Sequence, residues 1–483
     1  MKSNVASLDL IVDSVSFFKF TFLVSERHMA IIVFIICIAV RAVPELAAYP
    51  NPIGYDVVNY YIPIVENFHE HWNTISMEFP LYVTILYALR TAMGIPTASV
   101  VIIAAVGIAG LFGLSLFYIG RTLLRLQIIQ SMFLAIFPFF QMAVLRTFWD
   151  LHRDVLAMAA MLLVFSFLDR KEMGRKAIPI ILALSAFTVA ADRMIGALFC
   201  VTLAIYLIIT KSRNAALSAT VAITLFSVLM IASNQPNYQK TDTATVAQGT
   251  SNIKIPNFYT PVNLLIFFMV VNVLVAAPAI IGFLKMRASL LKIPLLISLA
   301  GSFSWLLFPE NNFLVADRWI IITGVFLSIF AAYGILRFVS VLKANFAKIV
   351  SCSILGLFAV IGLSYALSPH DNPFILYGAA QDYITYFAPV TMQFNSLDVQ
   401  DGNNLLRAIR YINENTEANA IIVGEPHWRG FMELYLEEGR IYHFSNDPVS
   451  FASSLEQQGY HVYLIRAEGD VQTSFKLDVV DRN

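Results

Sequence analysis

Trp149-Asp150-Leu151-His152-Arg153-Asp154 sets four ionisable side chains between two apolar runs, at about 126–147 and 151–168. Charge inside a hydrocarbon layer is costly, so such a segment marks a helix end at a membrane surface or a wet cavity. Each flanking run approaches the roughly 20 residues that a helix needs to cross a bilayer. The hexapeptide is therefore read as a turn between two spans, and the rest of the chain is threaded outward from it.

Composition agrees. Of 483 residues, 58% are hydrophobic and 13% charged, and the mean hydropathy is +0.70. Soluble proteins carry about a quarter charged residues, so the fold class is a mainly α, polytopic transmembrane protein. The formal net charge of zero leaves no global field to recruit nucleic acid or anionic lipid. Cys37, Cys200 and Cys352 lie in apolar runs and read as small buried hydrophobes. The first 25 residues do not read as a cleaved signal peptide, because Asp9, Asp13 and Lys19 interrupt the apolar pattern. An amphipathic helix lying in the interface is expected there.

Eleven spans follow, at about 29–44, 97–120, 126–147, 151–168, 177–194, 195–210, 215–233, 262–284, 293–308, 319–338 and 347–368. Lys and Arg concentrate in cytoplasmic loops. With a cytoplasmic N-terminus, five basic groups fall inside: Arg121/Arg125, Arg170–Lys176, Lys211/Arg213, Lys285–Lys292 and Arg337–Lys348. Phe79–Gly94 is apolar enough to span, yet counting it would reverse every later loop, so it is read as a re-entrant helix packed on protein. The alternative is a true span with another candidate dissolved. Val57, Tyr61, Ile64, Val65, Phe68 and Trp72 share one helical face, which predicts an interfacial helix with its aromatics at headgroup depth.

After about residue 369 the apolar runs shorten and alternate with polar residues. Helices are predicted at Asn403–Thr416, Phe431–Glu438 and Phe451–Gln458, and strands at Ala420–Val423, Arg440–Phe444 and His461–Ile465. This order predicts a small extracytoplasmic α/β domain with a mostly parallel sheet. The domains are thus an N-terminal segment (1–28), a transmembrane domain (29–368) and a C-terminal domain (369–483). The Thr-, Asn- and Gln-rich loop 234–261 is read as a substrate gate.

This topology puts ionisable groups at several outer turns: Asp56, then Asp150, His152, Arg153 and Asp154, then Asp192 and Arg193, then Glu310, Asp317 and Arg318. Carboxylates there can take a proton from a nucleophile or hold a divalent metal. Arginines can clamp a phosphate. Each residue also has a structural reading. Asp56 and Asp150 suit helix caps, Asp154 a first helical turn, and Asp192 and Arg193 an ion pair that closes a helix end. Arg153 and Arg318 suit headgroup anchors, and Glu425-Pro426-His427-Trp428-Arg429 a strand-to-helix turn.

One span, then Gly54-Tyr55-Asp56-Val57-Val58-Asn59-Tyr60-Tyr61, an amphipathic helix, Phe79-Pro80-Leu81-Tyr82, a dipping helix, two spans and an acidic motif resembles the GT-C superfamily of membrane glycosyltransferases. The resemblance covers about residues 29–210. It implies an outer-face active site, a polyprenyl-phosphate-linked sugar donor and an inverting transfer. By position it casts Asp56 as catalytic base, with Asp150 and Asp154 as the second acidic motif. His152, Arg153, Asp192, Arg193 and Arg318 would bind substrate. The Trp-Trp-Asp motif of oligosaccharyltransferases is absent, which argues against N-glycan transfer. The acidic residues admit Mg or Mn without requiring either, and the acceptor stays open among protein, lipid and glycan. Two rival readings are a flippase or transporter of lipid-linked substrates and a non-catalytic membrane scaffold.

Overall fold

The structure, a computed structural model, describes residues 25–54, 56–69, 80–168, 177–233, 261–307, 316–367, 399–425, 428–437, 439–445, 447–467 and 475–480. The expected interfacial helix before residue 25, the gate loop, Trp72, Glu310 and His427 lie outside the described residues, as does the side chain of Asp317.

Seven of the eleven predicted spans fall on helices long and apolar enough to cross a membrane; 126–147 is broken in two, and 151–168, 177–194 and 293–308 fall on helices of 17, 15 and 14 residues. The first helix is α1 (Glu26–Ala48). A π-helical turn, Val57–Tyr61, continues into α2 (Ile62–Glu66). Then come α3 (Leu81–Met93), α4 (Thr97–Thr122), α5 (Ile128–Ile136), α6 (Met142–Asp150) and α7 (His152–Leu168). The series continues with α8 (Ala177–Ala191), α9 (Arg193–Thr210), α10 (Arg213–Ser233) and α11 (Pro261–Lys285). It closes with α12 (Ser289–Ser302), α13 (Ala316–Val339) and α14 (Ala344–Leu367).

Seven of the described helices are long and apolar enough to cross a membrane alone. Ile208, Ile209, Leu284, Ile349 and Val360 lie exposed on them, as lipid-facing side chains should. The chain is an integral membrane protein of many helices.

The run at 126–147 departs from a straight span. A 3₁₀ turn at Phe137-Pro138-Phe139-Phe140 and an extended Gln141 break it, and α5 and α6 meet at 69°. Pro138 supplies no N–H and Gln141 leaves the helical region, so the ladder cannot run through. Counted as one broken span, the pair brings the total to eight. Helix α3 is 13 residues long, about 20 Å, too short for the roughly 30 Å hydrocarbon core.

The span of α13 is central, with 89% of its residues buried, whereas that of α14 is peripheral, with 11%. Helices α11 and α13 meet backbone to backbone. A Cβ on Gly282 would strike the Phe330 carbonyl, and one on Gly334 the Pro278 carbonyl. Small residues let helices approach this closely in membranes.

The C-terminal part comprises α15 (Val399–Asn415), β1 (Ile421–Gly424), α16 (Arg429–Tyr435), β2 (Ile441–Phe444), α17 (Pro448–Gln457), β3 (Val462–Ala467) and β4 (Phe475–Val480). The sheet order is β2-β1-β3-β4. Ile421 pairs with Ile441 and Val462 in parallel, and Val462 with Val480 antiparallel. The mostly parallel α/β reading holds, and β4 is an addition to it.

Candidate functional site

The turn after α1 and the junction between α6 and α7 are about a hundred residues apart in sequence and pack against each other. Gly54 has φ of +101°, a backbone state open to glycine and strained for other residues. A Cβ there would lie 2.5 Å from the Trp149 carbonyl oxygen and 2.6 Å from Asp150 Oδ1. The glycine is needed twice, once for its torsion and once for its lack of a side chain.

The π-helical turn that follows presents two tyrosine side chains to this junction. Tyr61 donates its hydroxyl to the Asp150 carbonyl over 3.3 Å. Its ring stacks on His152 at 5.6 Å between centroids and meets Tyr82 edge-on at 5.0 Å. Burial pushes the Tyr61 phenol well above its ordinary pKa, so it stays a neutral donor. The Arg153 guanidinium lies 5.2 Å from the Tyr60 ring centroid, within cation–π range. Val57, Tyr61, Val65 and Phe68 are buried against protein. That corrects the interfacial placement: the aromatic face predicted to sit at headgroup depth forms the wall of the site. Pro63 falls in the first turn of α2, where its missing N–H costs nothing.

Four turns converge at one end of the bundle. Asp154 is 2% exposed and lies within coulombic reach of Asp192, Arg318, Arg153 and Asp56. Arg318 faces Asp154, Asp56 and Asp192 in turn. Three carboxylates and two guanidiniums, from the α1–α2 turn, α7, the α8–α9 turn and α13, thus lie within electrostatic reach of one another. Asp56, Arg153 and Arg318 are half-buried, while Asp154 and Asp192 are buried. Asp154 Oδ1 has no hydrogen-bond partner among the described residues, and such a buried acceptor is costly unless something else meets it.

The other predicted residues fall at different places. Asp192 caps α9, its Oδ1 accepting from the amides of Met194 at 2.8 Å and Ile195 at 2.9 Å. Asp150 is the last residue of α6, and its Oδ2 pairs with Arg146 Nη1 at 2.7 Å. It does not cap α7. His152 Nδ1 and the Tyr82 hydroxyl are 3.1 Å apart. Arg193 is exposed.

Sequence reasoning passed over Arg146, whose i,i+4 spacing to Asp150 was the available signal. It also passed over Arg41 and Glu45, which pair at 2.5 Å on α1, each 3% exposed. Two opposite charges four residues apart at the end of an apolar run carry the same signal. Among the described residues, no group of three or more His, Cys, Asp or Glu side chains is arranged to hold a metal ion.

No protein-family model matches the sequence, and no curated protein matches it. Among solved structures, the arabinofuranosyltransferase AftD from mycobacteria, determined by single-particle cryo-EM, aligns with a TM-score of 0.46 and 12% identity, over 92% of this chain and 35% of that chain. The chain therefore spans about a third of that protein's length.

Proposed function

We propose that this integral membrane protein is a glycosyltransferase that moves a sugar from a polyprenyl-phosphate donor to an acceptor hydroxyl at the outer membrane face, with inversion. The observation that carries the reading is the proximity of Asp56, Asp154 and Asp192 to Arg153 and Arg318 at one end of the bundle. A lipid-linked donor keeps its chain among apolar helices, and its phosphate then needs cations where the charge groups gather.

Each group has a task. The acceptor oxygen attacks the anomeric carbon while its proton passes to the Asp56 carboxylate, the half-buried acid open to an incoming hydroxyl. The bond from that carbon to the phosphate oxygen breaks, and the electron pair leaves on the phosphate. Arg153 and Arg318 neutralise the charge that grows there, in surroundings where such interactions are strong. Asp154 and Asp192 hold the two arginines in place and accept from sugar hydroxyls. Asp150, tied to Arg146, supports the π-helical turn from below. Single displacement from the opposite face inverts the anomeric configuration. The sidedness follows the basic loops, with the N-terminus cytoplasmic and the C-terminal domain outside.

The test uses the purified protein in nanodiscs with a panel of labelled polyprenyl-phosphate sugars, beside Asp56→Asn and Arg318→Met. Donor consumption in the parent, lost in Asp56→Asn with donor binding retained, and weakened binding in Arg318→Met are the expected results. Donor binding that survives both changes, without turnover in the parent, would favour the scaffold reading. Transbilayer movement of intact donor would favour the flippase.

A further inference from the structure

Among the described residues, the C-terminal domain meets the membrane part at two places, α16 against the π-helical turn and α15 against α1. Val58, 1% exposed, belongs to that domain's core and packs with Leu405, Trp428 and Met432. Its neighbour Asn59 accepts at Oδ1 from the Gly430 amide over 2.8 Å. Gly430, in the first turn of α16, has no room to spare, since a Cβ there would lie 2.6 Å from the Val58 carbonyl oxygen and 2.7 Å from Asn59 Oδ1. Asn51 and Asn403 add a side-chain contact at 3.5 Å. The segment so gripped is the π-helical turn, whose other face carries Tyr60 against Arg153 and Tyr61 against Asp150 and His152.

A π-helical turn is less stable than an α-helical one and persists where its surroundings hold it. Here one face is held by α7 and the other by the domain. We propose that the C-terminal domain is a positioning element of the acidic site, with Gly430 and Asn59 locking the turn that follows Asp56 into its π-helical form. The domain then does more than cover the membrane domain: its attachment sets where Asp56 and Tyr61 stand. The functional half of this inference rests on the transferase reading, and the structural half does not.

Backbone hydrogen exchange on the full chain in nanodiscs tests the structural half. Four variants are compared with the parent: Gly430→Ala, which drives a methyl into the contact; Asn59→Ala, which removes the acceptor; Asn59→Asp, which restores it; and Gly402→Ala, a change in α15 with nothing within 4 Å of the new Cβ. Residues 57–62 should exchange about tenfold faster in the first two variants, as expected for one lost buried hydrogen bond. They should match the parent in the last two, and strands β1 and β3 should be unchanged throughout. Unchanged exchange at 57–62 in both Gly430→Ala and Asn59→Ala overturns the proposal. If Gly430→Ala also loosens the strands, Asn59→Ala, which leaves the domain's own chain intact, decides alone.

Donor turnover tests the functional half. Asn59→Ala should lower kcat with little change in KM, and Asn59→Asp should recover it. Full kcat in an Asn59→Ala protein whose turn exchanges fast would overturn the positioning role. A parent without turnover would sink the transferase reading and leave the exchange result standing.

Discussion

Gly54→Ala isolates what the close approach of two distant turns contributes. The substitution acts in two ways at once. A non-glycine residue at φ of +101° carries backbone strain of about 1–3 kcal/mol. The new Cβ would also start 2.5 Å from the Trp149 carbonyl and 2.6 Å from Asp150 Oδ1. The turn must retreat by at least about 0.5 Å to reach a tolerable contact, an overpacking cost of about 1–3 kcal/mol. Together these predict a loss of about 2–4 kcal/mol, since part of the strain relaxes as the turn moves. Gly94→Ala is the internal control, with φ of +63° and nothing within 4 Å of its Cβ. It should cost about 1 kcal/mol. Chemical unfolding of both variants in the same detergent measures the difference, and donor turnover measures its consequence. Because Asp56 lies two residues on, turnover should fall about 10- to 100-fold, as misplacement by a fraction of an ångström does elsewhere. Equal stability of the two variants, with full turnover in Gly54→Ala, would refute the claim that this contact sets the site.

Further changes separate charge from structure. Asp192→Ala should destabilise the protein by about 1 kcal/mol through loss of the α9 cap, whereas Asp192→Asn keeps the cap and should lose turnover alone, measured by unfolding and donor assay side by side. Arg146→Met strands the buried Asp150 carboxylate and should cost about 3–5 kcal/mol, most of it recovered by adding Asp150→Leu; equal costs for the single and double variants would dismiss the ion pair. In the C-terminal domain the Tyr463 hydroxyl donates to Glu417 at 2.8 Å and holds that carboxyl below its ordinary range. A lowered folded value contributes stability above the unfolded value that fades as pH falls through the folded one. Tyr463→Phe should therefore flatten the acid limb of strand protection at residues 462–465, read by hydrogen exchange.

The helices were legible because apolar length is a coarse, strong signal, although the run at 126–147 is split between α5 and α6. That Asp56, Asp154, Asp192 and Arg318 fall near one another was expected from the alternation of spans, which returns these turns to one end of the bundle. Finer features depended on contacts that no local pattern encodes. The break at Gln141 had a local cue in Pro138, but its angle comes from packing. Asp150 read as a cap by position, yet Arg146 one turn earlier claims its carboxylate. The face of Val57, Tyr61 and Val65 was visible as apolar, while protein and lipid make equal demands on such a face and the sequence does not distinguish them. The grip of Gly430 on Asn59 spans 371 positions and leaves no periodic trace.

The glycine seam between α11 and α13 reaches further than its location suggests. Gly334 sits about 24 Å along the helix from Arg318. A tilt of ~10° at the seam, inside the ~15–20° scatter of ordinary helix crossings, would swing that guanidinium by ~4 Å. Backbones in direct contact leave no compressible side chain to take up such a tilt, so the seam acts as a rigid bearing for a long lever. The aim of an arginine at one end of the bundle is thereby set about 24 Å away, by two residues that have no side chain at all.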